Sequence, residues 1–160
     1  MIDTISILRI IEDTIVDGVG LRTSIYAAGC SHHCQGCHNP ESWDISNGTL
    51  YSIENIMKVI KDADFSNVTF TGGDPLYQVE GFTALAVRIK AETNKNIWCY
   101  TGYTFEEVVL DKHLSQILPY IDVMVDGHFE ISLRDETLKF RGSSNQRIIN
   151  VQKILNLHNG

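Results

Sequence analysis

Three of the four cysteines in this chain lie close together, at Cys30, Cys34 and Cys37. Thiolates are the usual protein ligands of iron–sulfur clusters. Cysteines spaced C-x3-C-x2-C could therefore bind three irons of one [4Fe–4S] cluster from a single loop. The fourth iron would stay open for a ligand with an amine and a carboxylate, much as a catalytic zinc keeps one open position.

Zinc is the alternative metal for the same cysteines. A tetrahedral zinc site needs a fourth ligand, which Cys99, His32, His33 or His38 could supply. On that hypothesis the protein is a zinc-stabilised interaction module without catalysis. A disulfide framework is disfavoured, because the group holds an odd number of cysteines. Cys99 stands in an apolar run and is expected to be a small buried hydrophobe.

A second candidate for chemistry is the turn Thr71-Gly72-Gly73-Asp74-Pro75, which follows an apolar strand pattern. Glycine lets the backbone approach a ligand closely. A carboxylate beside open backbone carbonyls suits an ammonium group. Taken alone the turn is a common structural feature. Because it follows the cysteine loop by one predicted helix, we expect it to form part of the same site.

Hydrophobic periodicity predicts strands that alternate with helices. Strands are expected at residues 3–11, 22–28, 68–70, 97–100 and 120–126. One helix is expected after Ser52 and another over the apolar stripe from Phe82 to Ile89. A third is expected after Thr104, which can form a capping box with Glu107. Strands separated by helices indicate βαβ units and a parallel sheet.

The length of the chain limits the architecture that these units can form. A closed eight-unit barrel needs about 250 residues, and this chain has 160. We therefore expect an α/β fold, an open partial (β/α) barrel in one domain over residues 1–160. Ligands of such sheets bind at the carboxyl ends of the strands. The cysteine loop and the glycine turn both fall there, so they are expected to share one site.

Charge and hydropathy exclude several classes of protein. The net charge is −7, from 13 Lys and Arg against 20 Asp and Glu, which disfavours nucleic acid as a partner because such proteins normally carry a basic face. No apolar run reaches the roughly 20 residues that span a membrane. The amino terminus lacks the basic start and cleavage site of a signal peptide. A cytoplasmic protein with protein and small-molecule partners is expected.

The cysteine loop and the Gly-Gly-acidic turn together resemble the radical S-adenosylmethionine (SAM) superfamily. The segment Cys37-His-Asn-Pro-Glu-Ser-Trp43 is similar to that of the glycyl-radical-enzyme activases. The segments WCYTGY (98–103), VDG (125–127) and FRGSSNQR (140–147) resemble the activases of anaerobic ribonucleoside-triphosphate reductases. These similarities run from about residue 13 to residue 148. Another small radical SAM enzyme, such as a deazapurine synthase or a different glycyl-radical activase, is the alternative within the superfamily.

This resemblance implies a SAM-dependent oxidoreductase. Such an enzyme reductively cleaves SAM at a [4Fe–4S] cluster and generates a glycyl radical on the anaerobic (class III) reductase. The resemblance implies the glycyl-radical subunit of that reductase as partner, and a flavodoxin or ferredoxin as electron donor. It also implies a barrel of the radical SAM type, shortened relative to the pyruvate formate-lyase activase.

The resemblance also assigns residues to the site. Cys30, Cys34 and Cys37 would hold the cluster. SAM would be bound by residues of the cysteine loop and the glycine turn, namely Gly36, Cys37, His38, Gly72, Gly73 and Asp74. Asp74 stands where many relatives carry Glu, one methylene longer, and would keep its part in binding the SAM amino group.

Two further groups of residues follow from the same resemblance. Positions similar to a monovalent-cation site of the pyruvate formate-lyase activase are Thr101, Met124 and Asp126. A polar cluster near the carboxyl terminus is expected to dock the partner or line the substrate channel, and its members are Arg141, Asn145, Gln146 and Arg147. The tail after Asn150 is expected to form a short helix.

Overall fold

The computed structural model describes residues 2–37 and 40–159, with side chains up to residue 156. The strands are β1 (Thr4–Thr14), β2 (Arg22–Ala27), β3 (Thr49–Ser52), β4 (Asn67–Gly72), β5 (Ile97–Tyr100), β6 (Val123–Asp126) and β7 (Arg147–Asn150). The α-helices are α1 (Ile53–Asp62), α2 (Val79–Glu92), α3 (Phe105–Leu110) and α4 (Val151–Asn159). Within the described residues, no helix is long and apolar enough to cross a membrane.

The strands form one mixed sheet in the order β3-β1-β2-β4-β5-β6-β7. Its centre is parallel, because β2, β4, β5 and β6 run in the same direction. The outer pairings, β1 with β2, β1 with β3 and β6 with β7, are antiparallel. The α/β class and the open sheet are thus confirmed. The prediction of a parallel sheet is correct only for the centre. The predicted strand β1 pairs antiparallel with β2, and the short antiparallel edge strands β3 and β7 were not predicted.

Local sequence signals place most of the elements. The hydroxyl of Ser52 accepts a hydrogen bond from the Asn55 amide, 3.0 Å away, and so caps α1 as predicted. The capping box of Thr104 and Glu107 at α3 is also confirmed. The predicted strand 120–126 begins only at β6, because the residues before it form a 3-10 helix over Leu114–Tyr120. The predicted helix in the tail is α4.

The two faces of the sheet have different surroundings. On one face the fully buried side chains of Ile25, Phe70 and Cys99 join a core with α1 and α2, and Phe70 meets Phe82 of α2 edge-to-face at 4.9 Å. Because side chains alternate along a strand, the neighbouring residues face the other way. That second face carries polar and aromatic side chains and leads, at the carboxyl ends of the strands, to the site described below.

Arg22 joins the strands of this second face. Its side chain is buried and donates to the Thr69 hydroxyl at 2.6 Å and to the Val68 carbonyl at 2.7 Å. It also donates to the Val19 carbonyl at 2.9 Å and to the Asn96 side-chain oxygen at 2.6 Å. Burial lowers the pKa of Arg22 to about 10, which still leaves the guanidinium charged at neutral pH.

We expect Arg22→Met to lower the free energy of unfolding by about 3 kcal/mol, because buried acceptors lose their donor. Urea denaturation measures this. The matched control is Arg9→Met, since Arg9 is exposed and lies over the Tyr26 ring at 4.6 Å, a contact worth about 1 kcal/mol or less. Equal losses in the two variants would show that the buried hydrogen bonds of Arg22 add nothing.

Candidate active site

A cavity of about 240 Å³ lies at the carboxyl ends of β2, β4, β5 and β6. It brings together the cysteine loop, the ends of these strands and the segment between β6 and β7. Its lining residues include Cys30, Cys34, Cys37, Gly72, Tyr100 and Phe140. A larger cleft of about 420 Å³ lies near Lys61 and Lys95, at the amino ends of the strands, but no cysteine or histidine lines it.

The cysteine loop is fastened at its start to the 3-10 helix Pro40–Trp43. The Gly29 amide donates to the Ser42 carbonyl at 2.6 Å, and the Cys30 amide donates to the Trp43 carbonyl at 3.2 Å. His33 stacks on the Trp43 ring with centroids 4.6 Å apart. These contacts hold the loop over the end of β2 and leave its cysteines facing the cavity.

The placement of the three loop cysteines bears on which metal group they could hold. Cys30, Cys34 and Cys37 are not joined in a disulfide, are partly exposed, and line one cavity. Within residues 2–37 and 40–159, no three His, Cys, Asp or Glu side chains are placed to hold one metal ion. A zinc site needs its ligands around one ion, whereas cluster thiolates bind separate irons. His38, predicted as a SAM-binding residue and as a possible zinc ligand, lies outside the described residues.

Burial changes the acidity of the thiols in the metal-free protein. Burial raises the pKa of Cys30 to about 11 and also raises the pKa of Cys34. Cys99 is fully buried in the core, as predicted, and its pKa lies well above the ordinary value because of that burial. Thiols must lose their protons to bind metal, so cluster assembly at this site releases protons.

The glycine turn packs directly against the strand that leads to the cysteine loop. Gly72 has φ +102°, and a Cβ there would lie 2.4 Å from the Ala27 amide nitrogen. A Cβ on Gly73 would lie 2.5 Å from the Gly29 carbonyl oxygen. The Gly73 amide donates to the Ala27 carbonyl at 2.8 Å, and the Asp74 amide donates to Gly29 at 2.8 Å. Only glycine permits this approach, so the two predicted motifs do meet.

Asp74 is buried and its carboxylate is fully engaged within the protein. One oxygen accepts from the Leu76 amide at 2.9 Å. The other accepts from the Thr101 hydroxyl at 2.9 Å and from the Gly102 amide at 3.0 Å, and it lies 2.7 Å from His32 Nε2. Asp74 is not among the residues that line the cavity. Its carboxylate therefore lies behind the cavity wall and fixes the turn.

His32 is the residue of this site that sequence reasoning missed. Its imidazole lies between the strand ends, edge-to-face with Tyr103 and with His128, each at 4.5 Å between ring centroids. In the sequence it was one of three histidines that could ligate zinc or face solvent. No spacing signal connects it to Asp74, which is 42 positions away.

The three residues of the predicted cation site do not bring their side chains together. The Thr101 hydroxyl donates to Asp74, and Met124 is fully buried in the core. The Asp126 carboxylate accepts from the Phe105 amide at 2.7 Å and from the Arg147 guanidinium at 2.5 Å. The cation site stays a prediction, and the structure adds an arginine as the partner of Asp126.

Of the polar cluster near the carboxyl terminus, some residues lie at the cavity and others lie beside it. Gln146 lines the cavity, and its side chain accepts from the Gly142 amide at 2.8 Å and donates to the Gly127 carbonyl at 3.0 Å. Arg141 donates to the Gln146 carbonyl at 2.9 Å.

The other two members lie beside the cavity. Asn145 donates to the His128 carbonyl at 2.8 Å. Arg147 bridges Asp126 and Glu106, and these carboxylates raise its pKa further above the ordinary value.

Comparison with known proteins adds independent evidence. A family model described as a 4Fe-4S single cluster domain matches residues 16–149. A relative from Haemophilus influenzae is 39% identical over 142 residues, which cover 84% of this chain and 90% of the relative. A relative from Enterobacteria phage T4 is 37% identical over 146 residues, 88% of this chain and 90% of the relative. Both are named anaerobic ribonucleoside-triphosphate reductase-activating protein.

In the folded metal-free protein we expect iodoacetamide to alkylate Cys30 far faster than Cys99, which is buried in the core. The thiolate is the reactive form, so the rate at Cys30 should rise about tenfold per pH unit between about pH 8 and 10. Mass spectrometry of tryptic peptides measures both rates, and alkylation in urea gives the unfolded reference. Equal rates for Cys30 and Cys99 before unfolding would contradict the described burial.

Proposed function

The chain belongs to the family of anaerobic ribonucleoside-triphosphate reductase-activating proteins, and from this premise we propose how its residues serve that activity. The protein is a radical SAM enzyme with a [4Fe–4S] cluster, and it generates a glycyl radical on the anaerobic reductase. The observation that supports our assignment of residues is the cavity that the three loop cysteines line together with Thr71 and Gly72 of the glycine turn.

Cys30, Cys34 and Cys37 are the proposed cluster ligands. A reduced cluster held by these thiols would supply the electron for the reductive cleavage of SAM, the chemistry that leads to a glycyl radical on the reductase. The loop anchors described above hold the three thiols on one side of the cavity. Cys99 has no part in this proposal, because it is buried among core residues.

The cavity next to these cysteines is the proposed SAM site. The backbone of Gly36 and Cys37 would meet one end of SAM, and Gly72 and Gly73 would meet the methionine end. His38, expected there from the sequence, is outside the described residues. Much of the remaining wall is apolar and aromatic, with Val125, Phe129 and Phe140 among its residues. Such a wall excludes water and offers flat surfaces against which an adenine ring can pack.

Asp74 has an indirect part in this proposal. Its buried carboxylate already accepts hydrogen bonds from the protein, so it acts on the amino group of SAM through its negative charge and by fixing the carbonyls of the glycine turn. An ammonium group near that turn would gain from both. The proposed role of Asp74 toward the SAM amino group is therefore exerted from behind the cavity wall, without direct contact.

The reductase must bring a glycine to this cavity. We infer that the described sheet is the core of a single radical SAM domain over residues 1–160, an open partial barrel shorter than that of larger activases. An open barrel leaves room for a protein loop. The segment that contains Arg141, Asn145 and Gln146 borders the cavity and is the proposed contact for that loop, with Arg147 beside it.

The donor that reduces the cluster is proposed to be a small electron carrier, a flavodoxin or a ferredoxin. Such a protein would need only a transient contact with the cysteine loop, because one electron is transferred for each cleavage of SAM.

We expect Cys34→Ala to abolish the glycyl-radical signal on the reductase, whereas Cys99→Ala should keep it, because Cys34 lines the cavity and Cys99 is buried in the core. The protein is reconstituted anaerobically with iron and sulfide, reduced with dithionite, and incubated with SAM and the reductase. Electron paramagnetic resonance (EPR) then measures the glycyl radical.

A second EPR measurement tests cluster formation and SAM binding separately from radical transfer to the reductase. The reduced parent protein should show a [4Fe–4S]⁺ signal that changes when SAM is added. Stoichiometric zinc in place of iron, or a full glycyl-radical signal from Cys34→Ala, would overturn the assignment of the cysteines.

A further inference from the structure

His32 links the cysteine loop to three other segments of the site. It stands between the cluster cysteines Cys30 and Cys34 in the sequence. Its Nε2 lies 2.7 Å from the carboxylate of Asp74, in the glycine turn. Its ring also meets Tyr103, after β5, and His128, after β6, at 4.5 Å each.

The direction of the bond to Asp74 follows from the other partners of the carboxylate. Leu76, Thr101 and Gly102 all donate to it, which is the environment of an ionised acceptor. His32 therefore donates through Nε2–H. Its side chain and that of Asp74 are almost wholly buried, with 6% and 2% of their surface exposed. A charge-assisted bond shielded from water in this way is stronger than an exposed one.

The space around the imidazole is also shaped to hold it. A Cβ on Gly102 would lie 2.5 Å from the Cδ2 atom of His32. The ring is thus seated on a glycine, bounded by two aromatic edges and fixed at Nε2. It cannot turn away without breaking the bond to Asp74 or colliding with the backbone after β5.

We propose that His32 is a positioning residue, which fastens the cysteine loop to the glycine turn before any ligand binds. This inference rests on the proposed function for what the loop and the turn hold. By fixing the backbone between Cys30 and Cys34, His32 sets where the cluster lies relative to the SAM site. Loss of its N–H should therefore loosen the loop and weaken the binding of SAM.

Two variants of equal length separate the hydrogen bond from the bulk of the side chain. His32→Gln keeps an N–H near the place of Nε2, and His32→Met has a similar shape without a donor. His32→Phe keeps a ring for Tyr103 and His128 but also lacks the donor. The matched control is His33→Phe, which keeps a ring to stack on Trp43.

The first measurement is hydrogen exchange in the metal-free full chain. The probes are the bonded amides of Cys30 and Gly102, with Val68 in the sheet as reference. Exchange of both probes should become about tenfold to a hundredfold faster in His32→Met and His32→Phe, from loss of a bond to a charged group. His32→Gln should stay near the parent, and His33→Phe should leave Gly102 unchanged.

The second measurement is SAM affinity in the reconstituted protein, by calorimetry. His32→Met should bind SAM at least about tenfold more weakly, and His32→Gln should recover most of the affinity. Parent-like exchange and affinity in both His32→Met and His32→Phe would overturn the proposal. So would equal loss in His32→Gln and His32→Met. Failure of the parent to take up a cluster would count against the proposed function alone, because the exchange experiment needs no cluster.

Discussion

The site depends on how the protein satisfies one buried carboxylate. An ionised carboxylate removed from water is costly unless it is fully hydrogen-bonded. Asp74 meets this requirement with donors from three segments: the cysteine loop, its own turn and the end of β5. Because each donor must reach the same small group, satisfying Asp74 also brings these segments to one place. The geometry of the cavity follows from that constraint.

Close backbone packing also joins the glycine turn to the cysteine loop. The turn after β4 lies against Ala27 and Gly29 at distances that exclude a Cβ at Gly72 or Gly73. The turn is therefore held rigidly against the base of the cysteine loop by main-chain contacts, and Asp74 is held there as well. These main-chain contacts join the turn to the base of the loop at Gly29, and the His32–Asp74 contact joins it to the loop farther on.

The parts of the fold that were predictable are those specified by local sequence. Ser52 and Thr104 cap helices through residues three positions away, and the apolar stripes of α1 and α2 recur within one element. The cysteine spacing and the glycine turn are local as well. The strands β3 and β7 were missed, because each has four residues and is mostly exposed or half-buried, which gives no periodic signal. The pairing of His32 with Asp74 joins distant positions and depends on the tertiary fold.

Asp126 and Asp74 are both buried near the carboxyl ends of parallel strands, but their carboxylates are balanced by different partners. Asp126 is balanced by Arg147 from the antiparallel strand β7, and this arginine also binds Glu106 at the surface. A carboxylate neutralised by a guanidinium has little charge left to attract a ligand. Asp74 has no arginine or lysine within ion-pair distance among the described residues, only histidine and neutral donors. In the proposed function, the charge of Asp74 would act across the cavity wall on the ammonium group of SAM.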